Sequence, residues 1–168
     1  WNGNGTNATE FDGFFKLFLA DADVIDVDLD VVTESNVEAM LKKALAEVPV
    51  AIRRKNLKVG VSPDVFQWYS FYLVSKGITN GLGGDANTTP KFGKYDLVEI
   101  NGLPDNTIVI AEPKNLIFGT GLLADHNEVR LVDQDDTLLN GKIIGTMVYN
   151  AGVQYYNGAE IVWAREIA

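Results

Sequence analysis

The chain has no cysteine, which removes disulfides, thiolate nucleophiles and Cys-based zinc sites, and says little about compartment. Histidine occurs once, at His126, so there is no second imidazole to complete a His-based metal site. Lying between Asp125 and Asn127, it reads as a surface or capping residue. No Ser-His-Asp order and no G-x-S-x-G turn is present. Positive charge is scarce, with 14 Lys and Arg against 23 Asp and Glu and a net charge of −9. That deficit argues against a dedicated nucleic-acid surface, whose affinity rests on neutralising phosphates. Arg53-Arg54-Lys55 reads as a solvated turn. No apolar run approaches the roughly 18 residues that span a bilayer. The sequence starts at Trp1 without a signal-peptide pattern, as expected of a processed product or a domain cut from a longer chain. The sequons at Asn4, Asn7 and Asn87 are chance products of Asn/Gly/Thr-rich loops.

What is present is an ordinary globular composition: 168 residues, 46% hydrophobic and 22% charged, enough for one domain with a single sizeable core. "WNGNGTNATE" lacks periodicity and reads as an arm. "FDGFFKLFLAD" spaces its phenylalanines as a short amphipathic helix, and "DVDLDVV" alternates as a strand with Asp26, Asp28 and Asp30 on one side. "TESNVEAMLKKALAEV" is the clearest helix. Ser35 and Glu38 form a capping box, Val37, Met40, Leu41, Ala44, Leu45 and Val48 make one stripe, and Pro49 ends it. "SPDVFQWYSFYLVSKG" predicts a second helix with Ser62 as N-cap, Pro63 at the first helical position and Gly77 closing it. Its apolar residues run nearly all round, so both faces should be covered. After the long loop "ITNGLGGDANTTPKFG" come strands at "KYDLVEI", "TIVIA", "NLIFG", "EVRLVD" and "KIIGTMVY". A final hairpin joins "GVQYY" to "AEIVWA" through Asn157-Gly158. Helices first and strands later predict an α+β fold with a mixed or antiparallel sheet flanked by helices.

Four constellations invite a chemical reading. "GTGLLA" at 119–124 fits the G-x-G-x-x-A spelling of a dinucleotide-binding turn, but only "LLADHNE" separates it from the next strand. That is too short for the helix whose amino terminus would hold a pyrophosphate. Gly119 and Gly121 are therefore read as devices for a sharp turn. Asp26, Asp28 and Asp30 match the first half of an EF-hand loop, yet the sixth position is Val31 where Gly is needed and the twelfth is Val37 where Glu is needed. A carboxylate ladder on a strand's wet face is the plainer reading, and "DQDD" at 133–136 is a solvated turn. Trp68, Trp163, Tyr155 and Tyr156 offer a sugar-stacking platform or, more simply, core and interface aromatics. With 23 acids, a glycosidase-like carboxylate pair carries no specificity. No catalytic, cofactor-binding or metal-ligating residue is assigned.

The order of segments resembles the carboxy-terminal part of tailed-phage major capsid proteins, whose coat-protein fold is shared with herpesviruses. The resemblance runs from about Phe11 to Ala164. It is carried by the strand ending in Ser62-Pro63 that opens a helix, the Gly102-Leu103-Pro104 turn before a buried strand, Asn115-Leu116 leading to Gly119, and a terminal "GVQ" strand pair. It implies an amino-terminal arm and leading strand over 1–32, an axial-like domain over 33–145 and returning strands of a peripheral-like domain over 146–168. It implies a virion protein made in the host cytoplasm, not an enzyme, whose partners are copies of itself in pentamers and hexamers, with scaffold or portal proteins as further partners. No specific nucleic-acid site, membrane or cofactor is expected. The loop from Gly77 to Pro90 would face the capsomer axis. The long spine helix and the extended loop of that family have no counterpart in these residues, so this stretch alone is not expected to close a shell. Two other classes stay open on the residues: a secreted carbohydrate-binding module with an acid-bound calcium, and a two-carboxylate hydrolase.

Overall fold

Two runs, Ile108–Ala111 and Ile161–Ala164, are buried at every position, so each must pass through the middle of a sheet covered on both faces. In the computed structural model, which describes residues 12–77, 90–120, 129–134, 142–147 and 151–167, they do. Among the described residues lie helices α1 (Phe14–Ala20), α2 (Val37–Ala46) and α3 (Pro63–Ser75). The strands are β1 (Ile25–Asp28), β2 (Lys58–Val61), β3 (Lys91–Phe92), β4 (Tyr95–Glu99), β5 (Ile108–Ala111), β6 (Leu116–Thr120), β7 (Val129–Gln134), β8 (Lys142–Met147), β9 (Ala151–Tyr155) and β10 (Val162–Arg165). Six of them form one mixed sheet in the order β1-β10-β5-β2-β4-β3, and β6-β9 and β7-β8 form two antiparallel pairs. β1 runs parallel to β10 and β2 parallel to β4; the other neighbours are antiparallel. This is the α+β architecture with a mixed, helix-flanked sheet that the sequence predicts.

The pleat sends alternate side chains to opposite faces. One face, with Val27, Val59, Val61, Leu97, Ile108 and Ile110, packs against Val37, Leu41 and Ala44 of α2 and Val65 and Tyr69 of α3. Each such Val or Leu contributes about 1.5–3 kcal/mol of burial. The other face, with Val109, Ala111 and Trp163, meets Phe14 and Phe18 of α1 and the half-buried Leu116, Val153 and Tyr155 of the β6-β9 pair. The sheet takes β1 from residues 1–32, four strands from 33–145 and β10 from 146–168, so these three segments interleave in space.

Several local expectations are corrected. The Ser35–Glu38 capping box does not form. Asn36 is the N-cap, its Oδ1 accepting from Thr33 N at 2.7 Å and its Nδ2 donating to Val31 O at 2.9 Å. Glu38 instead pairs with Lys42 one turn on in α2 and accepts from Tyr72 of α3. Ser62 does cap α3 by position, but its hydroxyl accepts from the buried Thr107 N at 3.2 Å, stitching the helix start to the residue before β5. The prediction that α3 is covered all round fails: Phe71 and Val74 are 44% and 58% exposed. The Asn157-Gly158 hairpin is absent. β9 pairs with β6, β10 lies between β1 and β5, and Asn157 accepts from Ala159 N to open a 3-10 turn at Gly158–Glu160. Gly119 is no turn residue either. It sits inside β6 opposite Gly152. The arm at 1–10 and nearly all of the Gly77–Pro90 loop lie outside the described residues.

Candidate functional site

The residues singled out for chemistry do not converge. Gly121, His126, Asp135 and Asp136 lie outside the described residues, while Asp133 belongs to β7. Trp163 is fully buried, with Phe15 at 4.9 Å edge-on and the Arg165 guanidinium 4.6 Å from its ring centre. Trp68 lies on the far side of the sheet, half-buried on α3, and Tyr156 is 80% exposed, so the four aromatics make no common platform. Tyr155 donates to Asp21 Oδ2 at 2.5 Å. Burial first, then that bond, pushes the Tyr155 phenol up to about 12, and the same bond draws the Asp21 carboxyl below its usual range. Among the described residues no group of three or more His, Asp or Glu gathers as a metal site would require.

The Arg53-Arg54-Lys55 turn is more than a solvated one. The Arg53 guanidinium donates to Val48 O at 2.9 Å and Ala46 O at 3.1 Å, satisfying one carbonyl in the last turn of α2 and one just past it. Lys55 meets Glu160 at 2.5 Å and Glu112 at 3.9 Å, so those two acids hold a cation in common rather than flanking an open bond.

Two concave surfaces stand out among the described residues. One is an almost wholly apolar groove of about 330 Å³ on the α1 side of the sheet, lined by Lys58, Gly60, Val98, Ile100, Val109 and Leu116 among others. It exists because α1 and the β6-β9 pair cover β10 and β5 but stop short of β2 and β4. Gly60 shapes its floor, since a Cβ there would collide with the Ile100 side chain. The other, about 400 Å³, lies between the start of α2 and the end of α3, beside Thr33, Glu34, Trp68, Tyr72 and Lys76. Its Tyr72 donates to Glu38, whose carboxyl is lowered by Lys42 first and Tyr72 second, and the Tyr72 phenol is raised by Glu38. Neither holds a nucleophile beside a base. Each presents shape and apolar area, the material of a contact surface.

The two edges of the sheet, which have no further strand beside them among the described residues, differ in charge, and composition alone could not reveal that. β1 carries Asp26 and Asp28 at its exposed edge, with Asp30 just beyond. Arg165 pairs with Asp26 at 3.0 Å, and Asp28 Oδ1 accepts from Ile167 N at 3.1 Å. At the opposite edge, Lys58 and Lys91 flank Asp96, the latter at 3.5 Å, and Lys58 is the main cause of that carboxyl's lowered pKa. Lys94 donates to Arg53 O at 2.6 Å, drawing the Arg53–Lys55 turn to the same end. Lys91-Phe92-Gly93 ends the segment read as loop and Lys94 begins the strand after it, so the hairpin at this edge is not apparent in the sequence; its signal is the Gly93 turn, with φ of +62°, between two short flanks.

No family model matches the chain, and no curated protein matches it in sequence. Solved structures do match. A structure titled "Mycobacterium phage Che8" superposes with a TM-score of 0.64 at 16% identity, over 84% of this chain and 53% of that one. A satellite phage P4 procapsid gives 0.58 at 12% identity over 92% and 51%, and a virus-like particle from Pyrococcus furiosus gives 0.55 at 14% identity over 90% and 58%. The chain thus spans about half the length of the proteins it matches, and it has the fold of phage capsid proteins.

Proposed function

We propose that this chain is a structural virion protein, part of the subunit of an icosahedral phage or prophage capsid that works by self-assembly into pentamers and hexamers. The observation that carries the reading is the superposition of most of the chain on the Che8 phage structure at a TM-score of 0.64. Fold alone does not make function. What favours a shell role beside it is the character of the surface: apolar concavities, charged open edges and no reacting constellation among the described residues. Segments 1–32, 33–145 and 146–168 are, in this reading, a leading arm and strand, an axial-like part and returning peripheral-like strands, with the six-stranded sheet as their common seam. Copies of the chain are the principal partner, scaffold or portal proteins are further ones, and the protein passes from the host cytoplasm into the virion. Electron microscopy of the subunit expressed with its flanking sequence tests this: closed particles or rings of five or six are expected. A subunit that stays monomeric at every concentration and ionic strength overturns it.

A further inference from the structure

We infer that copies of this chain meet head to tail along the sheet plane, the acidic β1 edge of one against the basic β3-β4 edge of the next. The inference rests on the shell reading and names the surface that reading leaves open. Three observations carry it. The two edges are the ends of one sheet, five inter-strand steps or about 24 Å apart, so one copy can engage two neighbours at once. Their charges are complementary within a single chain: Asp28 and Asp30 at one end, Arg54, Lys91 and Lys94 at the other, all exposed. Apolar surface accompanies both. Val31 and Ile167 are exposed beside the acids, while Val98 and the 330 Å³ groove adjoin the lysines. An apolar centre with a charged rim is the usual make-up of a specific contact. Because the two surfaces differ, the contact is heterologous, and such a contact closes into a ring when the rotation per copy allows.

The test uses two charge-reversed forms of the 168-residue chain followed by sedimentation equilibrium. One carries Asp28→Lys and Asp30→Lys, the other Arg54→Glu and Lys91→Glu. Each alone sets like charges face to face, and its association is expected to weaken by at least about tenfold. An equimolar mixture restores complementarity wherever the two variants alternate and is expected to regain most of the unmodified chain's association, which misfolded variants could not do. Raising the salt to 1 M, where screening acts over about 3 Å, weakens the unmodified chain as well. If the unmodified chain associates and both variants match it, or the mixture fails to recover, the edge inference is overturned while the shell reading stands. If the unmodified chain does not associate at all, the edge inference is overturned, while the shell reading is decided separately by the particles of the subunit with its flanking sequence.

Discussion

At the scale of single residues, the Tyr155–Asp21 pair ties β9 to the turn before β1, and Gly158 makes room for it. A Cβ at Gly158 would lie 2.6 Å from Asp21 Oδ2, the oxygen that accepts the phenol's hydrogen bond. Gly158→Ala is therefore expected to cost about 1–3 kcal/mol, as overpacking does, and to bring the Tyr155 pKa down from about 12 toward its ordinary 10. Spectroscopic titration of tyrosinate, compared with Tyr155→Phe to assign the signal, checks this. The pair also sets two directions of pH dependence. Asp21 has a lowered folded pKa, so its contribution is present above the ordinary value of 3.8 and is lost as pH falls through the folded value. Tyr155 has a raised one, so its contribution is complete below 10 and is lost as pH climbs toward 12. Denaturant midpoints measured across both windows should fall at each end.

At the scale of elements, the caps separate what the sequence shows from what it hides. Asn36→Ala removes two hydrogen bonds at the start of α2 and is expected to cost about 1 kcal/mol, whereas Ser35→Ala should stay within about 0.5 kcal/mol. The reverse order in chemical denaturation would restore the capping box. Ser62→Ala leaves the buried Thr107 N–H without its acceptor, and about 1–3 kcal/mol should be lost. Helix α2 was legible because its apolar stripe depends only on local spacing; Val37, Leu41, Ala44 and Val48 are all buried. The uncovered side of α3 was not, because "FQWYSFYLV" is apolar in every direction and only tertiary placement decides which side finds a partner. The last strand was misjudged for a different reason. Asn157-Gly158 is a strong turn signal, and it outweighed the unbroken burial pattern of Ile161-Val162-Trp163-Ala164, which belongs to a central strand and not to the outer arm of a hairpin. The sheet edges, where the proposed contact lies, depend on strand order, and no local pattern encodes that.

At the scale of the whole molecule, two cores share one sheet, because β5 and β10 present Ile110 and Ala164 to one side and Val109 and Trp163 to the other. Leu41→Ala on one side is expected to cost about 2–5 kcal/mol and Trp163→Ala on the other about 3–5 kcal/mol. Circular dichroism and tryptophan emission should report a single shared melting step in Leu41→Ala as in the unmodified chain; two separate steps would mean that the cores unfold independently. The position of β10 has a temporal side. Residues 162–165 slot between β1 and β5, so among the described residues β1 has no hydrogen-bonded strand neighbour until β10, far later in the sequence, has been synthesised. A polypeptide released before Val162 would carry β1 without its partner strand. The six-stranded sheet is thereby completed only when its last strand arrives.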